Sequence, residues 1–340
     1  MMSKKIYFLM ILGALTSVAF GQQEPQFSQY MYTILPFNPG YAGSGGICAA
    51  ATYRQQWAGF VETNEDGEKT KVNPREALFS IHAPIKALHG GLGLSVYNDA
   101  LGHQNDIGIK VAYSFRMNIS GGTLGIGLSV DFLNRGIKTD EFTPGQSADP
   151  NIIANLGKSS MYIDASLGAF YQMPDKWFAG IAATQLISAI GGDEIGQKGA
   201  RHLYAMGGYT FTLPANPNWT LTPQAFVKAD FKVPTFDLTL IADWNKLVWF
   251  GASYRFYDAV VLLVGAKPFA NYSSAIRGLE VALSYDVNTS QMFGTHGNGV
   301  RSYGGPEITL KYCFSIITKP SIYGYKGTRL LGNRPIDFRY

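Results

Sequence analysis

The chain has 340 residues, a formal net charge of +4 at pH 7, 39 glycines, 20 tyrosines, 21 phenylalanines and only 15% charged residues. Lys4 and Lys5 lie in a segment that we expect to be removed, so the mature charge is about 4 − 2 = +2. This balance provides no basic face for nucleic acid, which we exclude as a partner. The many aromatic residues and glycines instead favour strands, in which glycine marks places where a side chain would crowd a bend or a lumen.

Residues 1–21 are typical of a secretory signal peptide. Lys4 and Lys5 form its charged start, residues 6–20 are apolar, and Ala19 and Gly21 are the small residues expected before a cleavage site. An uncleaved membrane anchor is the alternative, but the apolar stretch is short for a span of ~20 residues. No later apolar run approaches that length, so the mature chain is either soluble or crosses a membrane as a closed barrel.

Residues 22–45 form a segment that does not alternate and is interrupted by Pro36, Pro39 and Gly40. Its aromatic richness argues against simple disorder. We predict a periplasmic segment that folds into the barrel mouth as a short plug or presents a surface there. An inert leader is the alternative.

About fourteen segments with period-two alternation follow, which is the pattern of strands in a membrane barrel. Leu124, Ile126 and Leu128 share one face, for example, while Gly125 and Gly127 share the other. The segments begin near Gly46, Ala77, Gly90, Asp106, Gly122, Ser160, Lys176, Arg201, Asn218, Pro234, Leu247, Ala259, Arg277 and Pro306. Alternation is poor in residues 176–186, and residues 259–265 are apolar throughout, which leaves their lumenal face unexplained. We predict an all-β fold: a transmembrane antiparallel β-barrel over residues 46–315, followed by a periplasmic tail at 316–340.

Short and long connections mostly alternate, as expected for short periplasmic turns and long external loops of an outer-membrane barrel. Two short connections, at 231–233 and near Tyr257, are exceptions that we place outside. Charges lie opposite the apolar rows, and turning a strand over would put a Lys or Arg in hydrocarbon at a cost of ~2–4 kcal/mol. The apolar rows therefore face the lipid, with Trp219 and Trp244 in a periplasmic aromatic girdle. The strands of a soluble β-sandwich also alternate, but a sandwich explains neither the alternation of short and long connections nor this Trp pair.

Charges of both signs are predicted to face the lumen. They are Lys110, Arg116, Asp131, Asp164, Lys228, Asp230, Asp237, Asp243, Arg255, Glu280, Asp286 and Lys311. One interpretation is a polar pore that selects solutes. We favour the other, a network of paired charges in a filled or plugged lumen, because buried charges must be paired. A barrel of about fourteen strands lies between the filled barrels of about eight strands and the open ones of about sixteen.

Cysteines and histidines give no sign of an enzyme. Cys48 and Cys313 fall in the first and last predicted strands, which become neighbours when a barrel closes; a bridge and two free thiols are both open. The histidines, at His82, His89, His103, His202 and His296, lack the spacing of metal ligands. No serine lies in a nucleophile elbow. We predict no catalytic activity, no cofactor and no metal.

An ordered set of motifs gives a family resemblance. The motifs are Phe27-Ser28-Gln29-Tyr30-Met31, Asn38-Pro39-Gly40-Tyr41-Ala42-Gly43, Tyr53-Arg54-Gln55-Gln56-Trp57, Ser80-Ile81-His82-Ala83-Pro84 and Gly91-Leu92-Gly93-Leu94-Ser95-Val96-Tyr97-Asn98-Asp99. Together they resemble the PorP/SprF family of outer-membrane proteins from type IX secretion and gliding-motility systems. The set covers about the first third of the chain, and the remainder matches in barrel character. The loop after Trp57 is longer and more charged than the usual family loop.

The alternation of short and long connections predicts an outer-membrane barrel with both termini periplasmic. The family resemblance implies a non-enzymatic role with the secretion machinery. Its implied partners are a secreted, adhesin-like protein with a C-terminal secretion domain and periplasmic peptidoglycan-binding lipoproteins. Carried over to this chain, Ser28, Gln29, Tyr30, Asn38, Pro39 and Tyr41 would form a plug or docking face, and Arg54, Gln55, Gln56 and Trp57 would hold the external rim. These residues fit equally well a role in sealing and shaping the barrel. The runner-up function is a passive or substrate-selective channel.

Overall fold

The computed structural model describes residues 24–58, 62–63, 69–70, 73–102, 104–137, 159–187, 201–230, 234–271, 275–289 and 304–314. The expected signal peptide at 1–21, the expected tail at 316–340, His103 and His296 lie outside these ranges. Within the ranges, no helix has the length and apolar character needed to cross a membrane.

Fourteen strands form a closed antiparallel barrel, which confirms the predicted fold class. They are β1 Ile47–Gln55, β2 Arg75–Ile85, β3 Gly90–Leu101, β4 Gln104–Ile119, β5 Gly122–Ile137, β6 Ser159–Met173, β7 Trp177–Thr184, β8 His202–Tyr209, β9 Trp219–Ala229, β10 Pro234–Trp244, β11 Val248–Arg255, β12 Ala259–Ala266, β13 Leu279–Asn288 and β14 Gly305–Phe314. Each strand pairs with the next, and β1 pairs with β14 to close the sheet. Phe211–Thr212 extends β8 along β9, and a small separate hairpin pairs Glu62–Thr63 with Lys69–Thr70.

The two ends of the barrel differ in their connections. At one end, the turn end, strands are joined by turns such as 120–121, 174–176 and 245–247, and by connections that contain the 3-10 helices Lys86–Leu88 and Ala275–Gly278. At the other end, which we call the loop end, the strands are joined by the connections 56–74, 138–158, 185–201 and 289–304. The short connections 230–233 and 256–258 also lie at the loop end. So does Gly102, which follows β3 in a connection that the sequence analysis did not single out.

The outer face of the barrel is apolar and its turn end carries aromatic side chains. Leu128 and Leu262 are 53% and 59% exposed, as expected for residues that meet lipid. Trp219 lies directly opposite Trp244 in the pair β9–β10. The Trp177 ring lies 4.6 Å from that of Tyr171 at the same end. Aromatic rings thus cluster at the turn end, where the sequence analysis placed Trp219 and Trp244.

Strand β7 explains why its own sequence signal was weak. Its lumenal positions include Gly180 and Ala182, which are too small to produce a polar–apolar contrast. A methyl group added at Gly180 would lie 2.8 Å from the amide nitrogen of Asn38. The small residues therefore make room for a chain segment inside the barrel.

A disulfide closes the seam of the barrel. Cys48 and Cys313 are directly opposite each other in the β1–β14 pair, with Cα atoms 4.1 Å apart and their sulfurs bonded. Of the two alternatives that the sequence left open, the structure has the bridge.

Candidate functional site

Residues 24–44, which we call the lumenal segment, lie inside the barrel and occupy its lumen. Most of them are buried. The segment contains one helical turn, α1 (Ile34–Phe37), and a 3-10 turn at Pro39–Tyr41. It contacts the loop end near Gln26 and the turn end at Ser44, where it continues into β1. The segment thus extends through the barrel and is not confined to the mouth that the sequence analysis expected.

The first described residue, Glu24, is held by charged and polar groups of the barrel wall. Its carboxylate accepts hydrogen bonds from Lys110 Nζ at 3.3 Å, Gln185 Nε2 at 3.2 Å and the Tyr204 hydroxyl at 2.6 Å. Lys228 donates to its main-chain carbonyl at 2.8 Å. The mid-lumen charge of Lys110 and the loop-end charge of Lys228 draw the start of the segment into the loop-end half.

The environment of Glu24 keeps its carboxylate ionised. Burial raises the pKa of Glu24, but the opposing effects of Lys110, His202, the Tyr204 hydrogen bond and Lys228 are larger together and lower the pKa to about 2. A buried carboxylate is tolerated when it is paired in this way.

A second set of contacts holds the segment four residues further on. The backbone N–H groups of Ser28 and Gln29 donate to the two carboxylate oxygens of Glu307 at 2.7 and 2.9 Å. The Ser28 hydroxyl donates to Asp286 at 2.6 Å, and Arg255 donates to that hydroxyl at 3.3 Å. These charge-assisted hydrogen bonds are about twice as strong as neutral ones and fix the register of the segment.

Arg54 lies at the centre of this second set. Its guanidinium is 3.2 Å from Glu76, 2.5 Å from Asp286 and 3.7 Å from Glu307, and it donates to the Gln26 carbonyl. Its side chain is 1% exposed. We name this group of residues the Arg54 cluster.

The position of Arg54 corrects the expectation that it holds the external rim. Strand β1 alternates, so Arg54 shares its inward face with Thr52, and its side chain points into the lumen. Gln55, Gln56 and Trp57 are partly exposed at the loop end.

Aromatic packing holds the middle of the segment. The Tyr30 ring lies 5.0 Å from that of Phe226, and the Phe37 ring lies 5.1 Å from that of Tyr204. Phe27 belongs to the same buried cluster. Such aromatic pairs contribute about 0.5–1.5 kcal/mol beyond the burial of their area.

The segment also explains the apolar face of β12. Val261 and Leu263 are buried against Trp249, with Met31 and Tyr32 of the segment packed on the same cluster. A polar lumenal face is unnecessary where an apolar segment fills the lumen. Ile241 of β10 packs on this cluster as well.

Backbone groups approach closely where the segment crosses β4 to β7. The Asn38 amide donates to the carbonyls of Ala169 at 3.0 Å and Ile181 at 3.3 Å, and the Ser114 hydroxyl donates to the Gly40 carbonyl at 3.0 Å. A methyl group added at Gly127 would overlap the Pro39 carbonyl. The lumenal glycines of the wall thus form a groove for the backbone of the segment.

The residues that the family resemblance singled out in this segment lie in the lumen. Ser28, Gln29, Tyr30, Asn38 and Pro39 are buried and Tyr41 is partly exposed. The buried side chains cannot contact a partner while the segment stays in place. Their contacts are those of a plug.

The predicted lumenal charges are found in two environments. Lys110, Asp131, Asp164, Lys228, Asp237, Arg255, Glu280 and Asp286 are buried. Arg116, Asp230, Asp243 and Lys311 are partly exposed. Arg116 donates to the Ala42 carbonyl of the segment at 3.2 Å, and the Lys311 ammonium lies 5.3 Å from the centre of the Tyr32 ring.

Several other buried charges of the lumen were missed from the sequence. They are Glu24, Glu76, Asp106, Arg135 and Glu307. Glu307 could have been found, since it alternates with the lipid-facing Ile308 and Leu310 of β14. Glu24 could not, because it lies in a segment with no strand period.

The fold and the occupied lumen define a plugged outer-membrane β-barrel. The family model described as "Type IX secretion system membrane protein PorP/SprF" matches residues 19–312, and the chain belongs to this family. It is therefore an outer-membrane protein associated with type IX secretion, in a family of secretion-system barrels and not of a known enzyme class. Membership implies interaction with components of the secretion system and its cargo.

Solved structures with a similar architecture are distant. Omp33 of Acinetobacter baumannii is 10% identical and aligns over 79% of this chain and 99% of its own, with a TM-score of 0.41. The toluene transporter TodX of P. putida is 9% identical over 82% and 92%, with a TM-score of 0.47. At this distance the likenesses carry no argument about function. No curated protein is significantly similar to the chain.

Proposed function

We propose that the barrel anchors or helps deliver a secreted, adhesin-like surface protein and couples it to periplasmic partners. The observation that carries this proposal is the lumen filled by the lumenal segment, which is tied to the wall by charges and by aromatic packing. The cleft beside Glu24 has room for about one water molecule. Such a barrel suits a rigid socket better than a pore.

We infer that the turn end faces the periplasm, because outer-membrane barrels place short turns there and long loops outside. The barrel strands begin with β1 and end with β14 at the turn end. This orientation supports the expected periplasmic tail. The secreted protein would then be held at the loop end.

The turn end offers a surface of one sign for periplasmic partners. Its described connections carry Lys86, Lys176, Lys246, Lys267 and Arg277, whereas Asp175 is their only acidic residue. We call these five cations the basic rim. Complementary charge steers association and selects partners, so we propose that an acidic face of a peptidoglycan-binding lipoprotein contacts the basic rim.

The test is affinity purification of the tagged protein from its native outer membrane in mild detergent, followed by mass spectrometry. We expect a large secreted protein and periplasmic lipoproteins in stable ratio. In the variant K176E/K246E/K267E we expect the lipoproteins to be lost and the secreted protein to be kept. R201E is the matched control, since Arg201 is exposed at the loop end. A barrel that repeatedly purifies alone would contradict the proposal.

A planar bilayer separates this function from the alternative of a passive or substrate-selective channel. We expect no steady conductance from the intact, unpartnered protein, because the lumenal segment blocks the path. Steady conductance under the same conditions would favour the channel and would remove the main support for the socket.

A further inference from the structure

Groups from separate parts of the barrel wall converge where Glu24 lies. Lys110 comes from β4, Gln185 follows β7, Tyr204 comes from β8 and Lys228 from β9. Glu24 and its wall contacts are separated by 86 to 204 positions in the chain. Closure of the barrel therefore brings these donors together, and no local sequence pattern marks them as a set.

The chemistry of the set is that of a carboxylate receptor. Two ammonium groups, a phenol and an amide all donate toward one acidic residue, with Lys110 and Lys228 each 6% exposed. The next carboxylate to Lys110, that of Asp131, is 3.9 Å away. If the segment leaves, Lys110 also loses its hydrogen bond to the Pro36 carbonyl at 3.1 Å and keeps only this longer contact with Asp131. Incomplete pairing of a buried ammonium is costly, so we expect the wall to bind another carboxylate in place of Glu24.

The geometry allows the segment to be exchanged from its Glu24 end. Glu24 lies three positions after Gly21, where we expect the signal peptide to be cleaved. At the opposite end, Gly45 and Gly46 have φ of 71° and 113°, and a methyl group added at either would meet no atom within 4 Å. These two glycines form a sterically unhindered hinge between the segment and β1.

A narrow cleft continues from Glu24 along β5 and β6 towards the loop end. Asp131, Arg135 and Tyr162 contribute to its lining. With the segment in place this cleft has room for only about one water molecule, so a peptide carboxylate would reach Lys110 once the Glu24 end of the segment has moved out.

We propose that Lys110, Gln185, Tyr204 and Lys228 form a carboxylate-binding site that the chain fills with its own Glu24, and that a carboxylate of a bound peptide takes its place. This carboxylate belongs either to an acidic side chain of the peptide or to its C-terminus. The site can be tested on the purified barrel without any secretion partner. Its failure and the failure of the proposed anchoring function are therefore distinguishable.

The first test uses the purified full-length variant E24A and sodium acetate as the probe. We expect acetate, compared with chloride at equal ionic strength, to raise the midpoint of thermal unfolding of E24A by about 2 °C or more in a saturable manner. The wild type, whose site is filled, should not respond, and neither should E24A/K110M. An equal shift in E24A and E24A/K110M, or no shift in E24A, would overturn the proposal.

A folded barrel is first verified by its compact migration on an unheated SDS gel. If E24A fails this criterion, E24Q replaces it, because the amide keeps the size of the side chain and an acceptor for Tyr204 while removing the charge. Acetate should then compete with the weaker amide and give the same saturable shift, and its failure to do so would count against the site.

Short peptides distinguish the two sources of the carboxylate. One peptide carries a single internal glutamate and an amidated C-terminus, a second carries a free C-terminal carboxylate and no acidic residue, and a third carries neither. Calorimetric titration of the acetate-responsive variant should show binding of the first or the second, with binding lost on adding K110M, and none of the third. Binding of all three alike, or of none, would overturn the peptide part of the proposal.

Discussion

Replacing Arg54 by methionine should strongly destabilise the barrel. Arg54 is 1% exposed and faces the carboxylates of Glu76, Asp286 and Glu307 at 3.2, 2.5 and 3.7 Å. Removing one partner of a buried ion pair costs about 3–5 kcal/mol, because it leaves buried charge uncompensated. We expect R54M to lose free energy of unfolding within this range. R54K, which keeps the charge but not the planar fork, should lose less.

The assay is urea unfolding of the purified barrel in detergent, followed by tryptophan fluorescence. The matched control is K246M, since Lys246 pairs with Asp175 at 3.0 Å at the surface, where the two side chains are 68% and 80% exposed. Such an exposed pair contributes about 0–1 kcal/mol. The double variant R54M/E307Q should recover part of the loss, because it removes one of the uncompensated charges.

Two results would refute the electrostatic reasoning. One is a loss in R54M no larger than that in K246M. The other is a further loss when E307Q is added to R54M, which would show that Glu307 acts through its hydrogen bonds to the segment more than through Arg54.

Three further predictions concern the lumenal segment and the seam. The folded pKa of Glu24 is about 2, against an ordinary value of 4.5, so its contribution to stability is present above pH 4.5 and is lost as the pH falls towards 2; E24Q should flatten this part of the stability profile. G127A should displace the segment and increase its cleavage by chymotrypsin, whereas G136A should not, because a methyl group there meets its nearest atom at 3.7 Å. Unchanged cleavage in G127A would contradict the close approach. C48S/C313S should lose about 2–4 kcal/mol in urea unfolding, and reduction should have no further effect on this variant; a loss below 1 kcal/mol would show that strand pairing alone holds the seam.

Alternation was sufficient to predict the strands because one face of each strand meets lipid and the other faces the lumen. Lipid requires an apolar side chain at every second position, and this requirement acts on each strand independently of its partners. The outward rows of β4 and β5 are examples, with Ile109 and Leu128 both exposed. The alternation is weaker in β7, which has small lumenal residues, and in β12, which has apolar ones. Both strands face the lumenal segment and not water, so they need no polar lumenal face.

The occupied lumen was open to prediction only in outline. Pro36, Pro39 and the aromatic residues marked residues 22–45 as an unusual segment, and the mixed lumenal charges favoured a filled barrel. The partners of each charge could not be assigned. Arg54, placed at the rim from its motif, is a member of a buried cluster because strand parity and barrel closure together decide where its side chain points.

The sequence by itself determined the class of fold, the lipid-facing residues and the family, because these depend on periodicity and on motifs within short stretches of chain. The tertiary structure alone decided which groups meet in the lumen. Glu24 with Lys228, Ser28 with Glu307, and Cys48 with Cys313 are 204, 279 and 265 positions apart. Their contacts depend on strand register and on the closure of β1 onto β14, which bring distant residues together without leaving a local pattern in the chain.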